Sequence, residues 1–404
     1  MNIIFMTLEE IEDIEGRGIY SDLMRNFRNK GHNVYIVAPR ERRKGKPTEL
    51  LEQNGVKILH VRTLNITMST NIVEKGLGTL CIENQYKNAI KKYFDGEKFD
   101  LILYSTPPIT FPKVISFLKG NNPQAKTYLL LKDIFPQNAV DIGMMTTIGV
   151  KGVLYRYFRN KEKKLYALSD FIGCMSPANV EYVLKHNPEI ARDRVEVAPN
   201  SVELVNTDNT NLTKKSVIRE KYGIPVDKPV FIYGGNLGKP QGIDFLVKCL
   251  DANKGRRDCH FVVVGSGTEQ QKIQTWYDTT KPENATVLKA LPKADYDILV
   301  QTCDVGLIFL DHRFTIPNYP SRLLSYLEYK MPVLCTTDPN TDMGRIAEEN
   351  GYGFWCESNS VEAFTAILDK MIASDRKAMG EKGFEFLKKN YLVDNTYNAI
   401  MSHV

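Results

Sequence analysis

The chain has 404 residues, with 43% apolar and 25% charged side chains, which is the size and balance of a two-domain globular protein. That balance excludes a disordered chain, a collagen-like repeat and a small disulfide scaffold. The net charge of +5 is too weak to argue for nucleic acid, but it is unevenly spread: residues 1–200 hold 29 basic and 22 acidic side chains, residues 201–404 hold 24 and 26.

Short apolar runs alternate with amphipathic stretches from the start. Asn2–Thr7 reads as a strand, Gly18 to Asn29 as a helix ended by Gly31-His32, and Val34–Val37 as the next strand. Glu9 and Glu10 follow the first run with no basic segment before it, so this is not a signal peptide. Lys57–Val61, Leu101–Tyr104, Thr127–Leu131, Phe171–Met175 and Val195–Ala198 continue the strand series. Buried runs separated by helices predict parallel strands covered on both faces. Glu203 to Lys215 is rich in Asn, Thr and Asp and reads as a linker. The alternation then restarts at Val230–Tyr233 and runs through Cys259–Val264, Thr286–Leu288, Val305–Leu310, Val333–Cys335 and Gly353–Trp355. Arg376 to Val404 reads as helical and amphipathic. The prediction is two doubly wound α/β domains joined near residue 200, with ligands at the carboxyl ends of the strands.

The motif with the most chemistry is Tyr233-Gly234-Gly235-Asn236-Leu237-Gly238-Lys239-Pro240-Gln241-Gly242, directly after a strand. Its glycines allow backbone N–H groups to turn toward an anion, the next helix adds its positive end, and Lys239 adds charge. The competing reading is a tight strand-to-helix turn. Gly265-Ser266-Gly267 is a second turn of this kind, as consistent with scaffolding as with ligand binding. Further on, Ser321 is placed to cap a helix whose first turn holds Arg322. A cation there opposes the helix dipole, which points to an anionic ligand, although a plain surface arginine fits too. Ser325 and Glu328 lie one turn apart on that helix.

In the first half, Gly16-Arg17-Gly18 is a candidate phosphate-side loop or a plain turn. Lys132 and Asp133 stand at the end of a predicted parallel strand, where Asp133 is a candidate general base or acceptor-hydroxyl ligand, or else a cap or salt bridge. Arg156, Arg159, Lys163 and Lys164 cluster on the polar side of an aromatic helix, and Arg40 to Lys46 forms a second basic loop. Both suit an anionic membrane surface, and both suit an ordinary solvated face. The histidines show no metal-ligand spacing, so no metal is expected. The seven cysteines contain no C-x-x-C and read as reduced thiols in a cytoplasmic protein, peripheral at most to the membrane, since no apolar run approaches the roughly 20 residues of a span.

Taken in order, these residues resemble the bacterial family 4 glycosyltransferases. The resemblance runs through Gly31-His32-Asn33-Val34, Tyr104-Ser105-Thr106-Pro107-Pro108, Asp133-Ile134-Phe135-Pro136, Ser176-Pro177, Pro199-Asn200-Ser201-Val202, Gly234–Gly242, Cys303-Asp304-Val305-Gly306 and Pro320–Pro332. It implies the GT-B fold, two facing Rossmann-like doubly wound parallel-sheet domains with an interdomain cleft. The domains would be an acceptor domain at 1–200, a linker at 201–224, a nucleotide-sugar domain at 225–383 and a returning helix at 384–404. It implies a retaining transfer from a nucleotide-diphosphate sugar, UDP-linked and with an N-acetylhexosamine among the candidates. The acceptor would be a glycan or a polyprenyl-diphosphate-linked sugar in capsule or O-antigen assembly. Under this resemblance Asp133, Lys239 and Arg322 are catalytic. Gly18, Gly235, Asn236, Gly238, Gln241, Gly265, Leu291, Ser321, Ser325 and Glu328 bind the donor, and Lys132 and Gln137 bind the acceptor. No cofactor is implied beyond the substrate. Two departures stand out: Ser325 occupies the place of a family glutamate, and Asn236 and Gln241 replace the usual Arg and Lys of the phosphate loop. A non-catalytic GT-B binding protein and a nucleotide-sugar epimerase are the alternatives.

Overall fold

The computed structural model describes residues 1–66, 72–149, 152–204 and 212–404. The chain divides into two units, Met1–Glu203 with Leu392–Val404, and Leu204–Tyr391.

The first unit runs β1 Asn2–Met6, α1 Ile19–Asn29, β2 Asn33–Glu41, β3 Glu49–Gln53, β4 Val56–Thr63, α2 Ile72–Tyr93, β5 Leu101–Ser105, α3 Pro112–Asn121, β6 Lys126–Leu131, α4 Gln137–Asp141, α5 Gly152–Leu168, β7 Phe171–Cys174, α6 Pro177–His186 and β8 Val195–Val197. Its sheet has the order β3-β4-β2-β1-β5-β6-β7-β8. Ile3, Ile4, Phe5 and Met6 have no exposed surface, which is why β1 reads as an unbroken apolar run: both its faces are covered. One face packs Phe5 with Tyr20, Leu23 and Phe27 of α1.

The expectation of parallel strands holds except at one edge. β3 pairs antiparallel with β4 through Asn54 and Gly55, whose φ values of 48° and 80° make the tight two-residue turn that hairpins favour. Glu-Leu-Leu-Glu-Gln has no clear two-residue alternation because an edge strand has little to bury.

The second unit runs α7 Leu212–Lys221, β9 Val230–Asn236, α8 Ile243–Ala252, β10 His260–Ser266, α9 Gln270–Thr280, β11 Ala285–Lys289, α10 Lys293–Val300, β12 Val305–Phe309, α11 Arg322–Glu328, β13 Val333–Thr337, α12 Met343–Glu349, β14 Gly353–Glu357, α13 Val361–Ala373 and α14 Arg376–Asn390. The order β11-β10-β9-β12-β13-β14 is parallel throughout and puts β9 in the middle.

Two expected boundaries move. Of the predicted linker 201–224, residues 205–211 lie outside the described residues and Leu212–Lys221 is helix α7. Arg219 anchors that helix: its guanidinium is buried and bonds the Thr302 carbonyl at 2.9 and 2.5 Å and the Asp304 carboxylate at 2.6 Å. Lys215 also pairs with Asp304, at 2.8 Å, so two cations of this segment are satisfied within the second unit. The predicted terminal helix is also two helices. α14 belongs to the second unit, and α15, Val393–Met401, belongs to the first. There Tyr397 packs edge-on against Phe27 at 4.9 Å and its hydroxyl meets His32 Nε2 at 2.9 Å. Glu203 and Asp394 thus fall within the first unit, which carries 29 basic and 24 acidic residues against 24 and 24 in the second.

Candidate functional site

In the second unit the candidate residues gather at the carboxyl end of β9. Gly234 is close-packed: a Cβ there would collide with the Tyr296 ring, and Gly235 has φ +113°, open only to glycine at low cost. Gly235 pairs with Gly265 across the sheet, and a Cβ on Gly265 would strike the Gly235 carbonyl. A Cβ on Gly267 would strike Leu237 in the same way. Leu237 N also donates to Ser266 O at 2.8 Å. Gly265-Ser266-Gly267 therefore acts as the platform on which the first glycine turn rests.

The turn also fastens itself. Gln241 Oε1 accepts from Asn236 Nδ2 at 3.1 Å and from Gly238 N at 3.2 Å. Gly238 and Gln241, both expected to bind the donor, thus use the Gly238 N–H and the Gln241 side-chain oxygen inside the loop. Asp311 N donates to Pro240 O at 3.0 Å, and Arg313 clamps the Asp311 carboxylate at 2.9 and 2.7 Å, so the loop is also docked on the end of β12. Lys239 is exposed and makes no ion pair with a described residue.

Arg322 comes to this turn from α11. Its guanidinium carbon lies 4.4 Å from the centre of the Tyr233 ring, and Nη2 lies 3.7 Å from where a Gly235 Cβ would sit. Nη1 is buried without a hydrogen-bond partner among the described residues. A buried donor of this kind costs free energy until an acceptor arrives. Ser321 has helical φ and ψ (−65°, −14°) and makes no side-chain cap, contrary to the expected role, because a capping residue needs extended backbone. At 100° per residue, Ser325 lies about 60° around the helix from Arg322 and Glu328 about 120°. Ser325 is half-buried, whereas Glu328 is 1% exposed and packed within the unit. Leu291 lies in the loop entering α10 and is half-buried.

In the first unit, Lys132 and Asp133 follow β6. Asn138 Nδ2 donates to both Asp133 carboxylate oxygens, at 2.8 and 2.9 Å. Burial nonetheless pushes this carboxyl up to about 6. Lys132 Nζ donates to the Ala198 carbonyl at 2.8 Å, and burial pushes its amine down to about 7. Two neighbouring groups titrating near neutrality at a strand end are suited to proton transfer. Thr106 Oγ1 accepts from Lys132 N at 3.0 Å, and the Thr106–Pro107, Pro107–Pro108 and Phe135–Pro136 peptides are cis. Gln137 Nε2 is taken by Asp141 at 2.7 Å, and the residue lines a cavity of about 80 Å³ with Arg159 and Glu162. Gly18 does not fit the role of a flexible phosphate-side residue. Its N–H donates to Asp22 Oδ1 at 3.1 Å, and Gly16 O accepts from Ser21 and Arg25 at 2.6 and 2.9 Å, so the loop is internally bonded.

The basic surfaces are also partly closed. Arg159 bonds Glu162, Asn187 and the His186 carbonyl, and Lys163 lies 3.6 Å from Glu189. In the loop 40–46, Arg40 pairs with Glu49, Arg42 with Glu74, Arg43 with Glu41, and Lys44 with Glu10 and Glu12. This loop is not the cationic patch its sequence suggests, because acidic residues from distant segments fold against it. Arg156 and Lys164 remain exposed and form no ion pair with described residues. Among the described residues no His, Cys, Asp or Glu cluster could hold a metal ion, and no helix is long and apolar enough to cross a membrane.

Two α/β units built on largely parallel sheets, with a glycine turn and a cation at the carboxyl end of the second sheet's central strand, have the architecture of the GT-B fold. Residues 214–386, which lie within the second unit, match the family model described as Glycosyl transferases group 1. It is similar to the probable glycosyltransferase WbjE of Pseudomonas aeruginosa, 22% identical over 308 residues, 72% of this chain and 71% of that protein. It is 23% identical over 181 residues, 44% of each chain, to the putative colanic acid biosynthesis glycosyl transferase WcaI of Escherichia coli K12. The fold matches that of Anabaena HepE, solved in complex with UDP, with a TM-score of 0.68 and 13% identity over 100% of this chain and 99% of the other.

Sequence reading named Tyr233 only as the start of the glycine motif, without a role, and missed Tyr296 and Asp311. Tyr233 looked like any apolar strand residue, and nothing in the sequence links it to a residue 89 positions on.

Proposed function

We propose that this enzyme transfers a sugar from a nucleotide-diphosphate donor to a glycan or polyprenyl-diphosphate-linked acceptor in surface-polysaccharide assembly, with retention of configuration. The observation that carries the donor assignment is the buried, unpartnered Nη1 of Arg322 beside the Gly235–Gly238 turn. The name of WcaI, a colanic acid biosynthesis protein, supports the polysaccharide setting, and the UDP complex of HepE supports a UDP-linked donor.

The chemistry follows from charge. When the bond from the sugar's anomeric carbon to the diphosphate oxygen breaks, negative charge grows on the leaving diphosphate. Arg322, Lys239 and backbone N–H groups held before the reaction stabilise that charge more than they stabilise the intact donor. Asp133 is the candidate base for the acceptor hydroxyl, with its ionised form supported by Asn138. Replacing Arg322 with Ala is expected to weaken nucleoside diphosphate binding by about tenfold or more, the scale of one charge-assisted hydrogen bond. Unchanged affinity would remove the assignment.

A second reading, a non-catalytic nucleotide-sugar binder, is favoured by the neutral Asn236–Gln241 pair where the family carries cations. Release of nucleoside diphosphate from any member of a nucleotide-sugar panel, in the presence of lipid-linked acceptors, would end that reading.

The acceptor class also implies a membrane. Among the described residues, Met144, Ile148, Val153, Leu154 and Tyr157 are large apolar side chains that remain exposed, from 38% to 77%, within one short stretch of the first unit. Arg156 lies within this stretch, and Lys164 follows it on the same helix, both exposed. We propose that this stretch rests peripherally on an anionic bilayer, with the apolar residues at the headgroup boundary and the two cations on the lipid charge.

A further inference from the structure

Arg25, Arg40 and Arg219 are buried, and Arg322 is half-buried with a buried Nη1; they are held in two different ways. Arg25 and Arg219 are each gripped by carboxylates, Asp22 with Glu203 for the first and Asp304 for the second. Arg322 pairs with no carboxylate of the described residues. Its guanidinium carbon instead sits over the ring of Tyr233, 4.4 Å from the centroid. The difference has a physical consequence: a carboxylate fixes a guanidinium and cancels its charge, whereas an aromatic face fixes it and leaves the charge available.

We propose that Tyr233 is the positioning residue of Arg322, holding its guanidinium beside the glycine turn while keeping it unneutralised for the donor diphosphate. The inference rests on the phosphate reading of Arg322 given above. Three observations support it. The Tyr233 ring is fully buried in β9 and has no freedom of its own. Its hydroxyl donates to Asn236 O at 2.8 Å, so the residue under the arginine is bonded to the turn the arginine faces. Tyr296 closes over Gly234, and Tyr326 Oη accepts from Gly234 N at 3.3 Å and donates to Ile232 O at 3.2 Å, which fixes the strand end on which Tyr233 sits. An arginine side chain loses substantial rotamer entropy when it is fixed. Here the ring fixes it before the ligand arrives, so that cost is not charged against binding. The arrangement also explains how a phosphate loop with Asn236 and Gln241 in place of cations can serve a diphosphate: one pre-set cation comes from α11.

The test uses the full chain and titrations of UDP, GDP and ADP, with the matching nucleosides as controls. The tightest pair is carried through R322A, R322K and Y233L. R322A is expected to weaken nucleoside diphosphate binding about tenfold or more. R322K is expected to stay within about threefold of R322A, because an ammonium lacks the planar face that stacks. Y233L is expected to weaken nucleoside diphosphate about tenfold and leave nucleoside affinity unchanged. Wild-type affinity in R322K, or equal loss of nucleoside and nucleoside diphosphate in Y233L, would overturn the positioning role. R322K keeps the proposal testable if Y233L does not fold. If R322A binds normally, or if the wild type binds none of the three diphosphates, the phosphate reading itself fails. If R322A is weakened while R322K and Y233L bind normally, only the positioning inference fails.

Discussion

Arg25 and Glu203, 178 residues apart in sequence, are joined by two hydrogen bonds of 3.0 and 2.9 Å from Nε and Nη2 to one carboxylate oxygen. The same guanidinium bonds Asp22 at 2.6 Å and the carbonyls of Ile14 and Gly16 at 2.6 and 2.9 Å. Glu203 N donates back to Asp22 at 3.1 Å. One buried side chain thereby secures the loop before α1, the helix itself and the residue at which the chain leaves the first unit.

Removing Arg25 leaves the Asp22 carboxylate, 2% exposed, with an uncompensated charge. R25A is expected to lose about 3–5 kcal/mol of stability, whereas E203A, whose side chain is nearly half exposed, is expected to lose about 1 kcal/mol or less. Urea denaturation followed by a first-unit signal would show the contrast. Equal effects would mean that Glu203, not Asp22, dominates the cluster.

Gly265 is a stricter test of the platform beneath the phosphate turn. G265A places a methyl group against the Gly235 carbonyl and is expected to cost about 2–4 kcal/mol and to lower nucleoside diphosphate affinity with it. A variant with wild-type melting temperature and affinity would show that the two turns are not mechanically linked.

Asp133 predicts a pH dependence of stability. Burial raises its carboxyl to about 6, so the folded protein holds a proton that the unfolded chain releases at about 4. The fold gains below that lower value and loses stability as pH rises from about 4 through about 6. D133N removes the loss and is expected to stabilise by about 1–2 kcal/mol at pH 8 relative to wild type, with little effect at pH 4. N138A takes away the donor that supports the ionised form, so it should move the acid limb of the pH–rate profile upward. A limb that does not move would separate Asp133 from the rate.

For the membrane surface, I148S and L154S together are expected to reduce sedimentation with anionic vesicles at both low and high salt. Loss of Arg156 and Lys164 should matter mainly at low salt, where surface charge is least screened. Vesicle binding that is absent in the wild type, or unchanged in both variants, would count against the assignment.

What the sequence showed was governed by distance along the chain. Parallel strands, glycine turns and the Arg322 helix are local patterns, and the structure places them as read. The antiparallel β3, the helix α7 inside an apparent linker and the break between α14 and α15 depend on partners elsewhere, such as Thr302 and Asp304 for Arg219 or Phe27 for Tyr397. The basic loop 40–46 misled for the same reason, since Glu10, Glu12 and Glu74 lie outside it. Within the site, the charged residues were visible by type. The aromatic ring that orients one of them was not, because a buried strand tyrosine carries no spacing signal.

The return of Val393–Met401 to α1 sets an order on biosynthesis. The first unit begins to emerge from the ribosome before the second, yet α15 is translated only after the whole of the second has been made. Until then the surface around Phe27 and His32 is without Tyr397. The unit that starts first is completed last, and a nascent chain stalled before residue 392 exposes that surface to chaperones.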